Sequence, residues 1–160
     1  MRLDSIQLRE RPRTDYIIIH DSHTDPDTDD PMDFLRVNGR RMGLLDIGYH
    51  FVVTGAGEIV ETRPRRLYSS AAPGLNDRSI NIVLHGGANH KGVFENNIKW
   101  PTKMSLMSLL CELEAEFPQA KIKGHSELTP YVHRKHPCPC WDIDDIRQDF
   151  LMFKAKGIIP

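Results

Sequence analysis

"YIIIH" (16–20) is the stretch on which the fold turns. Three consecutive isoleucines offer an apolar side chain to both faces of an extended segment, since successive side chains alternate. A strand apolar on both faces belongs in the middle of a sheet covered on both sides. A second stretch, "SINIVLHGG" (79–87), reads the same way and stops at a glycine pair. The first strand ends on His20, and strand ends with the loops that follow them are where α/β folds expose working side chains.

Outward from these two strands, the chain alternates. "DPMDFLRVNGRRMG" (30–43) predicts a helix, with Asp30 as N-cap, Pro31 in the first turn and Gly43 as the stop. Met32, Leu35 and Met42 are expected on its inner side, although Gly39 weakens helix formation. "YHFVVTGAGEIVETRP" (49–64) reads as a hairpin around Gly55 and Gly57. "PTKMSLMSLLCELEAEFP" (101–118) carries Leu106, Leu109, Leu110, Leu113 and Phe117 as one helical stripe that Pro118 ends. "AKIKGHSEL" (120–128) predicts a short strand running into a loop at His125, and "DIDDIRQDFLMF" (142–153) a last helix with Ile143, Ile146, Phe150 and Phe153 inward. The expectation is an α/β fold: a central mixed β-sheet flanked by helices, in one domain spanning 1–160.

Bulk properties narrow the function. Net charge is −1 from 21 basic and 22 acidic residues, so no electrostatic pull favours nucleic acid or an anionic membrane. "RPRR" (63–66) has no interleaved aromatic residue and reads as a solvated strip. The charged N-terminus lacks the apolar core of a signal peptide, and no apolar run approaches the ~18 residues of a membrane span. A cytoplasmic protein is expected. Three cysteines, an odd number, argue against a disulfide framework. Cys111, on the long helix, reads as a small buried residue.

Two of those cysteines fall in "HRKHPCPCWD" (133–142). His20 and His125 at strand ends, with Cys138 in the later loop, make two imidazoles and a thiolate. That is a donor set for a catalytic zinc ion with its fourth position open. With eight histidines in the chain, some proximity arises by chance, and a histidine at a strand end is commonly just hydrogen-bonded. Residues 138 and 140 point the same way in an extended segment, so Cys140 competes for the same role.

"IIIHDSHT" (17–24), "GLLDIGYHFVV" (43–53), "SINIVLHGG" (79–87), "GHSEL" (124–128) and "PCPCWD" (137–142) together resemble, in order and spacing, the zinc-dependent N-acetylmuramoyl-L-alanine amidases. The likeness is strongest to small single-domain phage lysozymes of that family, which are related to peptidoglycan recognition proteins. It covers about residues 14–153.

The resemblance implies one zinc ion per chain on His20, His125 and Cys138, with Tyr49 as a catalytic group. It implies hydrolysis of the amide between N-acetylmuramic acid and L-alanine in peptidoglycan or muropeptides, by a monomer without a separate wall-binding domain. A phage endolysin acting from the host cytoplasm, with another protein opening the membrane, fits best. An L-alanyl-D-glutamate peptidase and a non-catalytic peptidoglycan-binding or regulatory protein are the alternatives. Some small phage lysozymes also bind a phage RNA polymerase, which adds that partner to the expectations.

Two departures stand out. Many members carry a lysine two residues before the third ligand; here His136 occupies that position beside Lys135, and either is a candidate catalytic group. Ala71 stands where phage relatives often have a histidine. Asn76 and Ser79 match the family but read as turn and strand-start residues. His50 is expected in the core or behind the site, and His133 on the surface.

Overall fold

The computed structural model describes residues 9–28, 30–44, 46–129 and 136–160. Five strands form one mixed sheet in the order β3-β2-β4-β1-β5. They are β1 (Tyr16–Asp21), β2 (Phe51–Val53), β3 (Ile59–Glu61), β4 (Ser79–Leu84) and β5 (Lys121–Gly124). β1 lies parallel to both β4 and β5, β2 is parallel to β4, and only the hairpin partner β3 runs antiparallel. The two strands with near-continuous apolar sequence are thus the central ones, as burial on both faces requires.

One face carries the larger core. Ile17, Ile19, Ile80, Ile82 and Leu84 pack there against Leu106, Leu109, Leu110 and Leu113 of α2 (Trp100–Glu116) and Ile146 and Phe150 of α4 (Ile143–Lys156). The side chain of Trp141 joins this cluster. Truncating any of these fully buried leucines or isoleucines to alanine is expected to cost about 2–5 kcal/mol. α4 starts on Asp142, whose carboxylate accepts from the Asp144 and Asp145 amides, and stops at the left-handed Gly157.

The other face carries α1 (Pro31–Arg41), where Leu35 packs with Ile47, Val52 and Val83. Asp30 caps α1 by accepting from the Met32 and Asp33 amides. Met42 is exposed rather than inward, because the helix ends at Arg41 and Met42 is its cap. Gly39 is buried for a steric reason: a Cβ there would fall 2.3 Å from the Asp46 carbonyl oxygen. The weak helix former marks a close approach of backbone to backbone.

Two further expectations change. His125 opens a one-turn helix, α3 (His125–Leu128), not a loop; Glu127 accepts from the Gly124 amide and fastens the turn. The "RPRR" run is not a solvated strip throughout. Arg63 is buried and donates to the Tyr68 and Ile47 carbonyls, and Arg65 meets Glu61, Glu112 and Glu116. Cys111 is half-buried, packed against the edge of the main core. Among the described residues, no helix is long and apolar enough to cross a membrane.

Candidate metal centre

The site forms at the end of β1, on the α1 face. Ile18 pairs with Asn81 and His20 with Val83, so His20 projects from the same face as Asn81. The buried asparagine inside "SINIVL" then has a partner: its Oδ1 lies 2.8 Å from His20 Nε2. Its amide nitrogen donates to Ser69 Oγ at 2.8 Å and Ser79 Oγ at 2.9 Å. Those two bonds fix which end of the amide faces His20, so Nε2 carries the proton and Nδ1 is the ring nitrogen that would meet a cation.

β5 delivers His125 alongside. The His20 and His125 ring centroids are 4.4 Å apart. Cys138 arrives on the loop before α4, and this loop is fastened to both histidine-bearing elements. Ser126 and Cys138 exchange hydrogen bonds, the Cys138 amide to Ser126 Oγ and the Ser126 amide to the Cys138 carbonyl. The Cys140 amide donates to Asp21 Oδ2 at 2.6 Å. Trp141 plugs into the core and fixes the far end. As a result, one donor atom from each of His20, His125 and Cys138 lies within 4.8 Å of the others.

Cys140 is turned elsewhere. Its thiol donates toward the Gly87 carbonyl at 3.5 Å and the Pro137 carbonyl at 3.6 Å. Burial pushes both thiols up, that of Cys140 to about 12, with the neighbouring Asp21 acting in the same direction. A buried thiolate beside a carboxylate is unfavourable unless a cation joins them. The Cys138 trio therefore suits a divalent, thiophilic metal such as zinc.

A cavity of about 300 Å³ opens over the trio, and Tyr49, Asp21 and His23 also line it. The Tyr49 ring stands edge-on to His20 at 5.0 Å. Burial raises the phenol's pKa, with Cys138 and Asp21 adding to the effect, so Tyr49 keeps its proton and can donate it in a hydrogen bond. A larger hollow of about 480 Å³ between β5 and α4 has no histidine or cysteine in its lining, so volume alone does not mark the site.

The remaining expected residues fall as follows. His136 stacks on Phe94, centroids 4.0 Å apart, and is not among the residues lining the cavity. Lys135 and His133 lie outside the described residues. His50 is buried behind the site; its Nδ1 accepts from the Asn81 amide and its Nε2 donates to the Leu67 carbonyl. Asn76 accepts from Ser69 and the Ala71 and Ala72 amides, a turn role, while Ala71 lines a neighbouring hollow of about 90 Å³ that Tyr49 also borders. Sequence reasoning passed over Asn81, Ser126, Asp21 and His23. The signal for Asn81 was present: an amide in the middle of an apolar central strand must find partners there.

A mixed sheet covered on both faces, with a largely buried cluster of two histidines and a loop cysteine beside its strand ends, is the scaffold of a peptidoglycan amidase. The chain belongs to the N-acetylmuramoyl-L-alanine amidase family, whose model matches residues 10–141. It is 33% identical over 138 residues to an endolysin of Escherichia phage T7, covering 86% of this chain and 88% of that protein. Its fold is similar to that of the N-acetylmuramoyl-L-alanine amidase LysC from Clostridium intestinale, with a TM-score of 0.68 at 24% identity over 84% of this chain and 83% of the other. Drosophila PGRP-LB has the same fold, with a TM-score of 0.64 at 22% identity over 96% and 86% of the two chains.

Proposed function

We propose that amide hydrolysis by this chain depends on one zinc ion held by His20, His125 and Cys138, and that the chain serves as a phage endolysin. The amidase activity itself follows from the family: the bond cut joins N-acetylmuramic acid to L-alanine in peptidoglycan. The observation that carries the metal reading is the convergence of the three donors within 4.8 Å at the floor of an open cavity. Three protein donors and an open side are the pattern of a catalytic rather than a structural zinc site.

Zinc in that position would supply an acidified water molecule and polarise the scissile carbonyl. The chain's own groups do the rest. Asn81 holds His20 in one tautomer. Tyr49, kept protonated by its burial, donates a hydrogen bond to the oxygen that gains charge as the carbonyl is attacked. Replacing it with phenylalanine is expected to lower kcat by about 10²–10³-fold with zinc retained.

The endolysin role rests on similarity to the phage T7 endolysin over most of both chains. In that role the chain is made in the host cytoplasm, works as a monomer, and reaches the wall after another protein has opened the membrane. The names of the relatives speak of lysis, amide hydrolysis and peptidoglycan recognition; the polymerase contact finds no support in them and is carried no further.

Metal analysis paired with product analysis tests the reading. About one zinc per chain is expected, with zymogram activity lost on chelation and restored by zinc. Mass spectrometry should find stem peptides that begin with intact L-alanine. L-Alanine left on the glycan would point instead to an L-alanyl-D-glutamate peptidase, and tight wall binding without cleavage would point to a recognition protein.

A further inference from the structure

His23 has no place in the metal reading, yet it shares the cavity with it. Beside it, the Asp21 carboxylate is completely buried, its side chain 0% exposed. Its Oδ2 accepts from the Cys140 amide and its Oδ1 from the His23 amide at 3.2 Å. His23 Nδ1 lies 2.6 Å from the same Oδ1, off the axis of a formal hydrogen bond. The imidazole keeps 26% of its side-chain surface exposed and lines the cavity with His20, Tyr49, His125 and Cys138.

Other contacts hold this ring in place. His136 meets it edge-on at 4.6 Å and Phe94 at 5.1 Å. His23 is also the one non-glycine residue with positive φ, +55°, among the described residues. Backbone in that region carries a cost, and such costs gather at working sites. A buried carboxylate behind one imidazole nitrogen, with the ring facing a reaction cavity, is the arrangement that orients a histidine for proton transfer.

We propose that His23, oriented by Asp21, is the catalytic residue that takes a proton from the attacking water and delivers it to the departing L-alanine nitrogen. The proposal rests on the amidase reading above. An amide nitrogen is a poor leaving group until it is protonated. As the water oxygen forms its bond to the carbonyl carbon, one water proton passes to His23 Nε2. The C–N bond then breaks, its electron pair stays on nitrogen, and Nε2 returns the proton there. The products are the muramic carboxyl group and the peptide amine, which exchange the second water proton to become carboxylate and ammonium. Nothing is oxidised or reduced. His136, stacked on Phe94 away from the cavity wall, supports the ring rather than competing for the proton.

Donor atoms of Asp21, His23 and Cys138 also lie within 4.8 Å of one another, as a second cation site would need. Two features argue against it. Cys138 already belongs to the other trio, and 2.6 Å between His23 Nδ1 and Asp21 Oδ1 is too close for two ligands of one metal ion. Two ligands on one tetrahedral zinc, with bonds of about 2.0–2.1 Å, stand about 3.3 Å apart.

The test compares zinc-loaded wild type with His23→Asn, which tolerates the positive φ, and with His23→Ala. Two substrates are needed: the muramoyl-L-alanine amide, and an N-acetylmuramoyl nitroanilide whose amine leaves with little help. On the amide, kcat should fall about 10²–10³-fold in both variants, with KM nearly unchanged, zinc content unchanged and partial rescue by added imidazole. On the nitroanilide the loss should shrink below about 10-fold. Equal losses on both substrates without imidazole rescue would overturn the proposal and leave the amidase reading standing. Zinc lost from the His23 variants would overturn it too, by making His23 a ligand. A wild type unable to release L-alanyl peptides would remove both readings.

Discussion

His20 Nε2 and Asn81 Oδ1 meet at 2.8 Å across the paired strands β1 and β4, and that contact decides which nitrogen of the first histidine faces the cavity. The amide is held by Ser69 and Ser79, so a buried side chain behind the cavity sets the tautomer of the histidine proposed to hold the metal. Asn81→Ala removes the acceptor and lets the ring turn. Zinc affinity is expected to fall about 10–100-fold in a chelator competition, because outer partners of a ligating histidine contribute on that scale. Asn81→Asp keeps an acceptor and should bind zinc far better than Asn81→Ala; equal affinities would show that the contact does not set the ligand.

The paired cysteines separate cleanly. Cys138→Ala removes one of three donors and is expected to abolish both stoichiometric zinc and lysis. Cys140→Ala gives up long contacts from its thiol to two carbonyls and the thiol's interaction with Asp21, while its backbone amide still reaches Asp21. Zinc content should hold at about one per chain, with activity within about three-fold of wild type. The reverse pattern, with the Cys140 variant dead and the Cys138 variant active, would move the ligand by two residues.

Most of the frame was legible because it follows from local rules. Isoleucine runs marked the central strands β1 and β4, Asp30 and Asp142 marked helix starts, and the leucine stripe marked α2. His20, His125 and Cys138 were legible as donor types, but only folding brings positions so far apart in the chain together. What escaped were contacts that no spacing encodes. Ser126 and Cys138 are joined across the chain, Arg63 in a basic run is buried on carbonyls, and Asp21 serves Cys140 from the other end of the sequence. His136 stands where the family carries a lysine, and its stacking on Phe94 and edge contact with His23, which lines the cavity, could not be read from its position in the chain.

Acid should weaken the fold through His50. Burial lowers its pKa to about 3, and Arg11, Arg63 and Arg65 add to the effect against the Leu67 carbonyl. Protonation would also set an N–H at Nδ1 against the Asn81 amide it now accepts from. The unfolded chain takes up this proton near the ordinary value of 6.5, and the folded one does not. Stability is therefore full above about pH 6.5 and declines on acidification until about pH 3. Between pH 6.5 and 5, where carboxylates stay ionised, His50 should account for a loss of about 1.5 kcal/mol. Urea unfolding across that range measures it, and His50→Gln should flatten this part of the slope.

Gly87 tests how tightly the site is built against the end of β1. Its φ of +95° suits glycine, and a Cβ would fall 2.4 Å from the Asp21 carboxylate. Gly74 has a similar φ of +82° with nothing within 4 Å of the same added atom. Alanine at Gly74 therefore carries only the backbone cost, about 1–3 kcal/mol in denaturant unfolding. Alanine at Gly87 carries that cost and must also displace Asp21, which anchors the Cys140 amide and faces His23. A larger loss of stability is expected at Gly87, together with lower activity that the Gly74 variant does not show. Equal losses from the two substitutions, with activity intact in both, would mean that Asp21 can move freely and that its packing does not position the groups around the cavity.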